Sequence, residues 1–314
     1  MMKTSFISTV LKGFAVGSAN VIPGVSGGTI ALITGIFERL INAIKAFDTE
    51  AVRLLLKLRL RAFAEHTDLA FLSSLFLGVF LAVVTLARLF EYLFAEHPVY
   101  IWSFFFGLIL ASIYYVGITV GRWRAAEYLS LAAGLAAALV IAFMKPAGEN
   151  ASFFYLVLSG VAGICSMILP GLSGSFVLII MGNYQLIVIE AVNNLRLDIL
   201  FPVALGAAAG LALFARVLSW LLGRFHSQTL AVLTGFISGS LAILWPWKEA
   251  LHLLDESGQI LLKDGDKIVS GYQWLLPDLA KSENLWAFAI ILLGIGSIIL
   301  LERLGGARAA DEGD

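Results

Sequence analysis

Apolar residues run along the 314-residue chain in long blocks separated by short polar stretches. Six blocks, near 68–95, 98–117, 127–144, 199–222, 228–246 and 285–303, are long enough to cross a hydrocarbon layer of about 30 Å as helices, which takes roughly 20 residues. Two further apolar regions, about 5–47 and 152–191, are split in the middle by Pro and Gly, so that each half is too short to cross alone. They read as re-entrant hairpins. The pattern predicts an all-α polytopic membrane protein forming a single membrane domain over 1–314.

Composition agrees: 60% of residues are hydrophobic and 14% charged. A net charge of -1 argues against nucleic acid as a partner, because backbone phosphates select a basic surface. The single cysteine, Cys165, excludes an internal disulfide or a paired-cysteine metal or redox site. No metal cluster, Ser-His-Asp set or Walker loop is legible, so neither a cofactor nor ATP-driven transport is expected. The N-terminal stretch resembles a leader peptide, but Lys12 interrupts its apolar region and it is read as mature structure.

Lys3, Lys12, Arg39, Lys45, Arg53, Lys57, Arg59 and Arg61 flank the first broken region on both sides. Lys and Arg are retained in the cytoplasm, which predicts a hairpin entering and leaving from that side. Counting spans onward puts Arg122, Arg124, Arg224, Arg303, Arg308 and both termini inside, and the acidic loop 247–284 outside. Trp102, Trp123, Trp245, Trp247 and Trp286 fall at predicted span ends, where interfacial rings are favoured.

The sequence contains two copies of one motif. IPGVSGGTIALITG, residues 22–35, aligns without gaps on LPGLSGSFVLIIMG, residues 169–182, at an offset of 147. Leu77, Gly78, Ala87, Arg88, Gly107 and Ser112 recur as Leu205, Gly206, Ala215, Arg216, Gly235 and Ser240 at an offset of 128. The difference of 19 residues fits an extra charged segment at about 48–66 in the first copy only. The halves, 1–144 and 145–314, then each hold a re-entrant hairpin and three spans. An odd number of spans places them in opposite orientations, the inverted-topology repeat of many transporters.

Within each motif a half-helix is expected to begin near Thr29 or its counterpart, with N–H groups aimed into the membrane interior from opposite sides. Asn20, Pro23, Gly24, Ser26, Gly27, Gly28 and Thr29 of the first copy, with Pro170, Gly171, Ser173, Gly174 and Ser175 of the second, form a candidate phosphate site. Glycines permit close backbone approach, and the hydroxyls add donors. The bland alternative is that these small residues only let helices pack. Arg88 and Arg216 lie inside apolar spans at matching positions, where an arginine costs at least about 2.5 kcal/mol. They are expected to take a phosphate in turn, Arg88 towards the outside and Arg216 towards the cytoplasm; otherwise they snorkel or sit in structural networks. Glu38, Glu91 and His97 are candidates for proton coupling, although Glu38 has Gln185 as its repeat partner and a turn histidine is commonly plain surface.

GSANVIPGVSGGTIALITGIFERLI together with ILPGLSGSFVLIIMGNY resembles the PopT family of bacterial polyprenyl-phosphate translocases, over essentially the whole chain. The resemblance implies a multi-pass protein of the bacterial cytoplasmic membrane, not an enzyme. Its implied role is to return undecaprenyl phosphate, the lipid carrier of cell-wall precursors, from the outer to the inner leaflet. That role is carried onto Pro23, Gly24, Ser26, Gly27, Gly28, Pro170, Gly171, Ser173, Gly174 and the two arginines. A more distant resemblance, to undecaprenyl-pyrophosphate phosphatase, fails where chemistry needs it. Gly27 and Gly174 replace the motif arginine, and Val16 and Asn20 stand at the spacing of the paired acids. A small-anion channel or exchanger is the second reading, and an intramembrane lipid phosphatase the third.

Overall fold

A computed structural model describes residues 6–20, 26–252, 262–263, 266–267, 269–278 and 280–311. The first copy supplies α1 (Phe6–Asn20), α2 (Gly27–Ile33), α3 (Phe37–Lys45), α4 (Thr49–Leu56), α5 (Leu60–His66), α6 (Leu69–Glu96), α7 (Pro98–Thr119) and α8 (Ala125–Phe143). The second supplies α9 (Phe153–Ile168), α10 (Gly174–Ile180), a π-helix π1 (Gln185–Ala191), α11 (Leu197–Arg224), α12 (His226–Leu244) and α13 (Ser282–Asp311). Among the described residues six helices, α6, α7, α8, α11, α12 and α13, are long and apolar enough to cross a membrane, and they coincide with the six expected blocks.

The broken regions carry two interruptions each, where the hydrophobic pattern marks one. The expected half-helix beginning near Thr29 begins instead at Gly27 and stops at Ile33. α2 and α3 then meet at 115°, and α10 and π1 at 113°. Gly35 (φ +69°) and Gly182 (φ +74°) make these turns, in a left-handed conformation that costs a side chain energy. Ile36 N–H donates to Ala31 O and Asn183 N–H to Leu178 O, each at 3.0 Å, and all four residues are repeat equivalents. The two bends are built alike because two turns of helix followed by a positive-φ glycine are encoded twice.

Small residues seat the long helices against one another, again in matching pairs. A Cβ on Gly13 would lie 2.2 Å from Leu75 O and one on Gly160 2.1 Å from Val203 O, so α1 lies on α6 as α9 lies on α11. Likewise, a Cβ on Gly107 would lie 2.0 Å from Ile291 O and one on Gly235 2.2 Å from Leu131 O. α7 therefore packs on α13 and α12 on α8, each helix pair joining the two copies. Lipid gives apolar helices no hydrophobic reason to associate, so such backbone contact carries the packing.

The expected outer loop departs from an all-helical fold. β1 (Lys248–His252) runs antiparallel to β4 (Val269–Trp274), and β2 (Leu262–Lys263) pairs with β3 (Asp266–Lys267). Tryptophans tie this loop down: Trp245 Nε1 donates to Leu275 O at 3.0 Å, and Trp247 Nε1 to Asn284 Oδ1 at 2.7 Å.

Candidate functional site

The two motif loops touch. Ser26 caps α2 by accepting from Gly28 N–H at 3.2 Å, and its hydroxyl donates to Leu169 O of the other copy at 3.0 Å. Gly171 N–H donates to Thr29 Oγ1 at 2.9 Å. Ser26 and Thr29 are buried, so these crossing bonds satisfy groups that lipid could not. A Cβ on Gly28 would come within 2.6 Å of Ile168 O, and one on Gly171 (φ +87°) within 2.6 Å of the Phe236 carbonyl. Pro23 and Gly24 lie outside the described residues.

The entrances to the two short helices differ. Gly27 N–H donates to Asn20 Oδ1 at 2.9 Å, so an internal amide oxygen occupies the start of α2. In the second copy the position of Asn20 is held by Met167, which offers no comparable acceptor. Ser173 makes no capping bond to α10 and pairs instead with Ser175, Oγ to Oγ 2.8 Å. A cavity of about 330 Å³ opens here, and Asn20, Ser26, Ser159, Ser173, Gly174 and Ser175 bring both motifs to its wall. Leu178 of α10, Val188 of π1 and Val203 of α11 add apolar surface to the lining. Seven-residue helices carry little macrodipole. The polar groups on offer at the cavity are therefore hydroxyls and local N–H groups. Pro170 is buried, does not line the cavity, and brings no N–H that needs a partner.

Close packing explains part of the glycine pattern independently of any ligand. A Cβ on Gly27 would lie 2.5 Å from Asn20 Oδ1, and one on Gly174 2.5 Å from Met167 Cγ. Both glycines have a packing reason, and of the two only Gly174 also lines the cavity.

Arg88 and Arg216 are each the twentieth residue of a 28-residue helix. Both are exposed, and neither lines the cavity; Arg216 Nη1 donates to Ala212 O at 2.7 Å. Glu38 faces His226 Nε2 at 2.9 Å with both side chains about half exposed. His97, exposed between α6 and α7, stacks on Tyr100 at 5.8 Å. The Glu91 side chain lies outside the described residues. Sequence reading passed over Asn42, Ser219 and His226, which join the first hairpin to α11 and α12. Ser219 Oγ donates to Asn42 Oδ1 at 3.1 Å and accepts from Lys45 Nζ at 3.2 Å. No motif marks them, since each is a single polar residue within its helix. Ser159 was missed too; its signal is the stripe of small residues Ser159, Gly163 and Ser166 along α9.

Over residues 16–261 the chain matches the family model described as VCA0040-like, undecaprenyl phosphate translocase-like. It is similar to a protein of Vibrio cholerae named polyprenyl-phosphate transporter, 38% identical over 299 residues that cover 95% of this chain and 97% of that one. A Staphylococcus aureus protein of the same name is 33% identical over 266 residues, covering 76% and 85%. No solved structure matches. A transporter, not a hydrolase, is the class these matches give, and the motif residues described above fall within the aligned stretch. The chain belongs to the undecaprenyl phosphate translocase-like family.

Proposed function

We propose that this protein carries a polyprenyl phosphate, undecaprenyl phosphate in particular, across the bacterial cytoplasmic membrane from the outer to the inner leaflet, returning the lipid carrier for cell-wall synthesis. One observation supports the reading most: the cavity where the two copies of the motif meet is lined both by hydroxyls and the start of α10 and by aliphatic side chains. A phosphate monoester needs the polar groups, and the adjoining prenyl units need the aliphatic ones. The long tail stays in lipid.

The two copies act as an inverted repeat, 1–144 and 145–314, with both termini in the cytoplasm. Under the orientation set by the Lys and Arg count, the cavity lies on the Val203 end of α11, which faces outward, while α3 closes against the Ser219 end, which faces the cytoplasm. The described arrangement is then the outward-open state, ready to capture from the outer leaflet. Exchanging the packing of the two hairpins opens the inner side. Arg88 and Arg216 meet the head group at the outer and inner mouths, and Glu38 with His226 belongs to the inner closure. Guanidinium forks suit a phosphate that must be held and handed on.

The test is transport in proteoliposomes loaded with a fluorescent short-chain polyprenyl phosphate, read by quenching from one side. Protein-dependent exchange that is competed by unlabelled polyprenyl phosphate but not by chloride or inorganic phosphate is expected. Chloride flux without lipid exchange would overturn the reading in favour of an anion channel, and release of inorganic phosphate would favour a hydrolase.

A further inference from the structure

The segment present only in the first copy folds as a helical hairpin, α4–α5, with a leucine-rich tip. Val52, Leu55, Leu56, Leu58 and Leu60 are all exposed, Leu56 and Leu58 at 80%. Interleaved with them stand Arg53, Lys57, Arg59 and Arg61, also exposed. Its base is fixed. Asp48 caps α4 through Glu50 and Ala51 N–H, each at 3.0 Å, and meets His66 Nε2 at 3.1 Å. The Ala51 N–H and the His66 side chain hold the Asp48 carboxyl below the usual carboxylate range. Phe47 stacks edge-on against Phe63 at 6.1 Å. Arg39 grips Asp68 through two bonds, of 2.6 and 3.0 Å, just before α6 enters the apolar region at Leu69. The hairpin therefore leaves the protein at the level where a span begins.

An exposed apolar tip of this kind has no reason to persist in water. Leucines beside lysine and arginine match the boundary of an anionic bilayer, where the apolar side chains enter the acyl region and the bases stay among phosphates. Acidic neighbours do not cancel the charge. Arg53 pairs with Glu50 and Arg61 with Glu65, whereas Lys57 and Arg59 make no ion pair among the described residues.

We propose that the α4–α5 hairpin is an interfacial anchor whose Leu56–Leu60 tip inserts beside the first span and whose Lys57 and Arg59 bind the head groups of anionic phospholipids. The partner is the bilayer surface itself, not the transported lipid. The anchor also fixes the first hairpin, to which it is joined through Phe47 and Arg39, relative to the membrane plane. The proposal is independent of the transport reading, because it depends only on the hairpin's own surface.

A nitroxide on Leu56→Cys, in a Cys165→Ser background of the full chain, tests it in nanodiscs. Collisions with oxygen, enriched in lipid, and with a water-soluble nickel chelate report the surroundings, with a label at Phe80→Cys on α6 as the lipid reference. In discs containing phosphatidylglycerol the label should favour oxygen as the Phe80 label does. Each basic residue near an anionic surface is worth roughly a fivefold gain in partitioning. Lys57→Gln/Arg59→Gln, or pure phosphatidylcholine discs, should therefore raise nickel accessibility several-fold, and high salt should act in the same direction. A label equally open to nickel in both lipids and unaffected by the double substitution would overturn the anchor. So would a lipid-like signal indifferent to charge, which would leave an apolar contact without head-group recognition.

Discussion

The two motif hairpins share a sequence pattern, a bend angle and a turn, yet they are packed differently. In the first, Phe37 and Ile41 are buried almost completely, and Asn42 and Lys45 reach Ser219 on α11. Their repeat equivalents in the second, Tyr184 and Val188, are half-buried and line the cavity. Residues 38–44 are α-helix in the first copy, and their equivalents Gln185–Ala191 are π-helix in the second; π turns concentrate at functional sites. One sequence plan thus occupies a closed and an open packing in a single molecule. Under the proposed cycle each hairpin is a template for what its partner would adopt when the site changes sides, and the differences between them would mark where the exchange is not symmetric.

The largest expected effect comes from forbidding that exchange. An Asn42→Cys/Ser219→Cys pair in a Cys165→Ser background should lose nearly all lipid transport on oxidation and recover it on reduction. Transport that continues with the disulfide formed would mean that the first hairpin never opens.

Lys12 stands at the repeat position of Ser159, half-buried, with its Nζ donating to Thr34 O at 2.7 Å. In the exchanged packing an ammonium would line the inner cavity where the outer one has a hydroxyl. A charged donor is worth about 1.5–3 kcal/mol, so Lys12→Gln should slow delivery to the inner leaflet roughly tenfold or more while leaving capture from the outer leaflet intact. Equal loss of both steps in a leaflet-resolved assay would make Lys12 a structural residue.

Met167→Asn gives the second hairpin the plug of the first. Its amide oxygen should cap Gly174 as Asn20 caps Gly27 and compete with the ligand, lowering affinity by a factor of about 3–10. Asn20→Met in turn removes a cap and should cost about 1 kcal/mol of stability, measured by thermal denaturation in detergent. Unchanged affinity in Met167→Asn would place the phosphate away from the start of α10.

The smallest effects separate the turns. A methyl group on Gly35 would meet nothing within 4 Å, whereas a Cβ on Gly182 would lie 2.2 Å from Ala147 O. Gly35→Ala should cost about 1–2 kcal/mol for its left-handed backbone alone, and Gly182→Ala a further ~1–3 kcal/mol for overpacking. Equal melting shifts would contradict the tighter seating of the second turn.

Hydrophobic block length made all six spans legible, because a bilayer imposes length directly. The duplicated Pro-Gly-x-Ser-Gly located the cavity, because broken backbone inside lipid must be gathered where protein satisfies it. The second interruption was harder to read. Gly35 and Gly182 align, but a single glycine in an apolar run does not reveal the sign of its φ. The distinction between Asn20 as plug and Met167 as gap depends on which short helix each side chain faces. The contacts among Glu38, Asn42, Ser219 and His226 join residues more than a hundred positions apart, and no local pattern encodes them. The same holds for α8 on α12 and α13 on α7, where glycine spacing marks a contact face without naming its partner.

The central claim is that the hairpins exchange packing, and spin-label distances across both at once test it most directly. Lys45→Cys with Trp220→Cys spans the first hairpin, and its repeat counterpart, Val192→Cys with Tyr92→Cys, spans the second; all four positions are exposed. In nanodiscs each pair should show two distance populations. Adding polyprenyl phosphate should shift them in opposite senses, one pair lengthening as the other shortens. A single unchanging distance at both pairs, in protein that transports lipid, would contradict the account.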